Sequence, residues 1–180
     1  MKTSRKIVAW SAVLAAVVIL TLFAMPSYRQ GEDTIAGKQA EDFAMTLSGK
    51  PTRLSELKGQ VVILNFFGSW CPPCIEETPE LNKLQKHIAS RNAVIVGVAA
   101  DDDVAAYEKF LRDQNVVFPT YRDPATKDSH SPLAAAYGTT MYPETYIIDR
   151  KGKIARKIIG PQEWNSVEML AYFDSILGKT

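Results

Sequence analysis

Apolar positions in this chain fall into runs of distinct period. The first run, Ile7 to Met25, carries no charge and follows Lys2, Arg5 and Lys6. As a helix rising about 1.5 Å per residue it would extend roughly 28 Å, close to the hydrocarbon thickness of a bilayer. Its length, and the absence of an A-x-A pattern around Leu22-Phe23-Ala24-Met25-Pro26, predict an uncleaved signal anchor over residues 1–26 rather than a cleaved signal peptide. Basic residues ahead of the span place the N-terminus in the cytoplasm. The expectation is a single-pass protein of the cell inner (cytoplasmic) membrane, held by residues 7–25, with its remainder on the periplasmic, extracytoplasmic side. No lipobox cysteine is present. Residues 27–37 are polar and read as a linker, leaving 38–180 as one domain.

Within that domain strand and helix periods alternate. Asp42–Leu47 alternates as an edge strand would, Ser48-Gly49-Lys50-Pro51 reads as a turn, and a small hairpin follows. Leu54–Gly59 reads as one helical turn ended by glycine. Val61–Phe67 reads as a buried strand, apolar but for Asn65, and Ala93–Ala99 is apolar throughout, as strands buried on both faces are. Between them a helix with Ile75, Leu81, Leu84 and Ile88 near helical spacing runs to about Ser90. Asp101-Asp102-Asp103 is read as the cap of a helix over Val104–Gln114, in preference to a metal site. Val116–Pro119 reads as extended, Ser131–Tyr137 as a short helix, Glu144–Asp149 and Ile154–Ile159 as a hairpin, and Gln162–Leu177 as a closing helix. This order predicts an α/β fold with a central mixed sheet flanked by helices.

The net charge is +1 and hydrophobic residues make up 46% of 180 residues, enough for an ordinary core and no pointer to nucleic acid. Composition therefore leaves the chemistry to be found in individual residues. The two cysteines are Cys71 and Cys74, in Trp70-Cys71-Pro72-Pro73-Cys74 at a strand-to-helix junction. A helix start has unpaired N–H groups and the positive end of the dipole, which favour negative charge on a sulfur placed there. Cys71 is thus the attacking thiol and Cys74, one turn on, the resolving thiol of a redox-active disulfide. The prolines stiffen the ring, and Pro is tolerated in a first helical turn. Trp70 is expected to pack over the site. A purely structural disulfide of this size would stabilise little, and zinc would need two further ligands that no second motif supplies. His87 and His130 fit no nucleophile or metal pattern and read as surface residues.

From about Ile35 onward the chain resembles the membrane-anchored thioredoxin-like thiol-disulfide oxidoreductases of the TlpA/ResA kind. The resemblance rests on Ala40-Glu41-Asp42-Phe43, on Leu54-Ser55-Glu56-Leu57-Lys58-Gly59, and on Val62 through Pro79. It continues in Tyr137-Gly138 and in Pro143 through Gly152. It implies a thioredoxin-like fold with an extra N-terminal β-hairpin and an inserted helix. It also implies a cis peptide before Pro143, facing the cysteines, with the backbone of Tyr142 free to pair with an extended client. Read by itself, Pro143 is a strand-start proline. Thioredoxin has a buried aspartate where this chain has Asn65, which cannot shuttle a proton. ResA-type members use a glutamate three residues after the second cysteine, here Glu77, which would take the Cys74 proton and have a raised pKa if half buried. Glu76 and Glu80 read as solvated.

The resemblance implies reduction of disulfide-bonded protein clients, apocytochrome c among them during cytochrome c maturation. It also implies a membrane electron donor of the CcdA/DsbD type, and calls for no cofactor and no metal. Two other functions fit the same residues: a disulfide-forming oxidase, differing only in redox poise, and an assembly factor holding Cu(I) between the thiolates.

Overall fold

A computed structural model describes residues 35–178. The predicted anchor and nearly all of the predicted linker lie outside these residues. Among the described residues no helix is long and apolar enough to cross a membrane.

The first two strands, β1 (Ala44–Leu47) and β2 (Lys50–Arg53), form an antiparallel hairpin. Its turn is shorter than predicted: Ser48 and Gly49 alone make it, both at positive φ (49° and 76°), the backbone a two-residue hairpin requires. Pro51 falls within β2, which has a free edge where a missing N–H is tolerated. A 3-10 turn, Leu54–Leu57, leads to β3 (Val61–Phe67) and then to helix α1 (Pro72–Ile88).

Next come β4 (Ala93–Ala99), α2 (Val104–Asp113), β5 (Thr120–Arg122) and α3 (Pro132–Ala136). The chain closes with β6 (Glu144–Ile148), β7 (Ile154–Ile159) and α4 (Val167–Leu177). The five strands β3 to β7 form one sheet in the order β5-β4-β3-β6-β7. β3, β4 and β5 are parallel, and β6 and β7 are antiparallel to their neighbours.

Two predicted boundaries shift, and one predicted cap narrows to a single residue. The extended piece expected at Val116–Pro119 is not the strand; β5 begins at Thr120, where the chain reaches Gly97 of β4 and pairing becomes available. The last helix starts at Val167, capped by the Ser166 hydroxyl, because Gln162–Asn165 turns away to meet α1. Of the three aspartates only Asp103 caps α2, accepting from Ala105 N at 2.7 Å.

β3 lies at the centre, buried along its whole length, which accounts for a run that is apolar but for Asn65. Its alternate residues divide the core. Val62, Leu64 and Phe66 pack with Val96, Val98, Tyr146 and Ile148 on the hairpin side. Val61 and Ile63 pack with Leu81, Leu84, Ile88, Trp164 and Phe173 on the side of α1 and α4. Asn65 occupies the same face as Val61 and Ile63 and is the polar break in that strip.

Candidate active site

β3 and β4 end level, Phe67 opposite Ala99. The chain then leaves β3 through Gly68-Ser69-Trp70 and enters α1 with Cys71 as its N-cap, Pro72 and Pro73 in the first turn and Cys74 behind them. The two cysteines are joined as a disulfide with Cα atoms 5.3 Å apart. Cys71 Sγ accepts the backbone N–H of Cys74 at 3.3 Å, a donor of the first helical turn that it shares with Cys71 O at 3.1 Å. Both cysteines are nearly buried, among Phe67, Ala99 and Phe110.

The loop before Cys71 is stapled to the end of β4. Phe67 O accepts Ala100 N at 2.8 Å, and Cys71 N donates to Gly68 O at 3.1 Å. The Trp70 indole N–H donates to Ala100 O at 3.1 Å. Asp101, expected as a helix cap, is instead 1% exposed and accepts both the backbone N–H and the hydroxyl of Ser69. Burial pushes the Asp101 carboxyl above its ordinary pKa, against the pull of those bonds. Three identical residues in a row gave no sign of which one turns inward.

Trp70 does lie at the site, but as a wall rather than a lid: it is 48% exposed, with its ring against Gly68 and edge-to-face with Tyr142 at 5.6 Å. A Cβ at Gly68 would stand 2.6 Å from the ring. The Tyr142-Pro143 peptide is cis, as the resemblance implied, and Tyr142 packs against the cluster that contains both cysteines. Trp70, His130, Ser131, Met141 and Tyr142 line an open cleft of about 390 Å³ beside the disulfide. His130 is thus an exposed residue at the rim of this cleft, and His87 is exposed on α1. A second cavity of about 200 Å³ lies at the far end of β3, between the hairpin side and Val62, and touches none of these residues.

Behind Pro143, Glu144 is fully buried and pairs with Lys157 Nζ at 2.5 Å. The same lysine donates to Gly138 O at 2.9 Å, and Tyr146 Oη donates to Tyr137 O at 2.8 Å. The segment carrying Met141 and Tyr142 is therefore held from beneath by a buried ion pair.

Glu77 sits one turn beyond Cys74 and is 3% exposed, more deeply buried than the sequence suggested. Its carboxylate meets Asn65 of β3 and the Gln162 N–H and Trp164 indole of the segment after β7. Burial pushes its pKa up to about 7, offset in part by the bonds from Trp164, Gln162 and Asn65. Trp164 and Gln162 were not among the predicted site residues; they lie 87 and 85 positions from Glu77, inside what the apolar pattern made part of a helix. Glu76 is exposed as read, whereas Glu80 is half-buried, bonded to Lys83 and to Asn165. No cluster of three metal-ligating side chains occurs among the described residues.

The chain matches the AhpC/TSA family model over residues 36–157. It is 33% identical over 157 residues to the thiol-disulfide oxidoreductase ResA of Bacillus cereus, covering 87% of each chain. It is 33% identical over 132 residues to ResA of Bacillus subtilis, covering 72% of this chain and 71% of that one. Among solved structures it is similar to a Chlorobium tepidum protein provisionally named thiol:disulfide interchange protein DsbE. That match has a TM-score of 0.71 and 28% identity over 79% of this chain and 98% of the other.

Proposed function

We propose that this chain, which belongs to the AhpC/TSA family as a thiol-disulfide oxidoreductase of the ResA kind, reduces disulfides of protein clients outside the cytoplasmic membrane. The observation that carries this reading is Cys71 at the N-cap of α1, its sulfur facing the Cys74 N–H. That placement favours a thiolate at Cys71. The Cys71 thiolate attacks one sulfur of the client disulfide, and the bonding pair leaves on the other. Cys74 gives its proton to Glu77 and attacks Cys71 Sγ, so that the client sulfur leaves with its electron pair and takes up a proton. Two electrons pass to the client and the Cys71–Cys74 disulfide forms.

The likeness to ResA favours apocytochrome c as the client class and a membrane donor of the CcdA/DsbD type to restore the dithiol. The uncharged run from Ile7 to Met25 supports anchorage ahead of a domain at 38–180. Trp70 and Tyr142, which line the cleft, would form the client-facing surface, with the buried Pro143 fixing the backbone behind Tyr142.

The test is a trapping experiment in the native membrane. Cys74→Ser should accumulate mixed disulfides through Cys71, and Cys71→Ser should accumulate none. Absence of trapped clients with Cys74→Ser overturns the scheme.

A further inference from the structure

The contacts of Glu77 are unevenly divided between its two oxygens. Oε1 accepts the Trp164 indole N–H at 2.6 Å and the Gln162 backbone N–H at 3.0 Å. Among the described residues Oε2 has only Asn65 Nδ2, at 3.5 Å, the outer limit of a hydrogen bond. The same amide nitrogen makes its shorter bond to Thr145 Oγ1, at 2.9 Å, and reaches Oε2 only with its second N–H. A carboxylic acid carries its proton on one oxygen, and an oxygen that faces two N–H donors has no place for it.

We infer that Trp164 is a positioning residue for Glu77, its indole and the Gln162 amide fixing Oε1 so that proton exchange with Cys74 runs through Oε2. This rests on the reading of Glu77 as the proton acceptor for Cys74. In the resolving step the Cys74 thiol proton passes to Oε2, and the sulfur keeps the pair with which it attacks Cys71. The proton leaves Oε2 again when the dithiol is restored.

The anchoring segment is itself fixed. Trp164 is fully buried and its ring packs on Phe173 at 6.3 Å. Asn165 donates to both the backbone carbonyl and Oε2 of Glu80, at 2.9 and 2.6 Å. The segment after β7 thus docks on α1 at two successive turns. A buried indole N–H requires an acceptor, and a carboxylate gives it a charge-assisted bond. The groups bonded to Glu77 are neutral: Asn65 from β3, and Gln162 and Trp164 from the docked segment. On its own helix Cys74 lies one turn back, and the charged neighbours are exposed Glu76 and Glu80 with its partner Lys83.

The experiment is a pH titration of the full chain in its oxidised form, following the Trp164 indole N–H and the Glu77 side-chain carboxyl carbon by NMR. Both resonances should move with one midpoint, and the indole titration should vanish in Glu77→Gln. An indole that does not titrate, or titrates at another pH, overturns the anchoring. In folded Trp164→Phe the Glu77 midpoint and the pH profile of mixed-disulfide resolution should rise together by about one unit, because a bond to the charged form is lost. An unmoved midpoint also overturns it. Should Glu77→Gln resolve mixed disulfides as fast as the parent protein, proton exchange through Oε2 falls, while a shared titration would still establish the anchoring of Oε1.

Discussion

Asp101 binds Ser69 twice, taking its backbone N–H at 3.1 Å and its hydroxyl on the same carboxylate. Neither residue belongs to the disulfide, yet the pair fixes the loop from which Cys71 enters α1. Asp101→Ala would leave the Ser69 donors in a partly buried site without an acceptor, at a cost of about 1–3 kcal/mol. Asp101→Asn, which keeps one acceptor, should cost less. Urea unfolding would rank the two. Insulin reduction should show turnover falling in the same order, since loss of the loop anchor frees the attacking sulfur.

Glu77 makes stability depend on pH in a defined direction. Its ordinary pKa of 4.5 is raised to about 7 in the folded protein, chiefly by burial. Between those values the unfolded chain has released this proton and the folded chain holds it, so stability falls as pH rises. Over the full interval the loss is about 3 kcal/mol at most. Glu77→Gln should flatten this part of the profile, and unfolding of oxidised protein at pH 4.5 and 7.5 measures the difference between the two slopes.

Gly68→Ala tests the seat of Trp70. The added Cβ would stand 2.6 Å from the indole, but the ring is half exposed and can swing outward. Stability should therefore change by less than the roughly 1–3 kcal/mol typical of overpacking in a closed core. The ring would lose its bond to Ala100 O and its contact with Tyr142. A red-shifted tryptophan emission with reduced turnover on protein disulfides is the expected outcome.

Lys157→Met should be among the most damaging single changes away from the cysteines. It leaves the fully buried Glu144 without its counter-charge and frees Gly138 O. Breaking a buried pair from one side costs about 3–5 kcal/mol. The double variant Lys157→Met/Glu144→Gln should recover much of the loss, which thermal unfolding of the three proteins would measure.

How much of this was legible beforehand follows from the range of the forces involved. β3, β4 and the α1 stripe are local patterns, and each was found within a residue or two of its observed bounds. Cys71 and Cys74 were legible because strand, motif and helix are contiguous. The docking of Trp164 on Glu77 was not, since an apolar residue near helical spacing has the same appearance whether it lies in a helix or just before one. Only Ser166, whose hydroxyl caps Met169 N, marked the later start. The aspartates failed for a related reason. Asp103 caps by local geometry, whereas Asp101 is buried because β4 ends level with β3 and turns it beneath the neighbouring loop. β5 gains its identity from pairing with Gly97, Val98 and Ala99 of β4, a contact with no local sequence signature.

The described chain enters the fold by bonding to the β6–β7 turn: Gly37 N donates to Ile154 O, Ala40 N to Gly152 O, and Gln39 bridges Lys153. That turn lies at the Val62 end of the sheet, through the pairing of Val62 with Ile148, whereas Cys71 follows Phe67 at the other end. At about 3.3 Å per residue, β3 alone separates the two by roughly 20 Å. A pull on the chain ahead of Ile35 would therefore load the β6–β7 turn first. The cysteine loop would carry none of that tension until the entry bonds had parted, so a load applied there would reach the turn without disturbing Cys71.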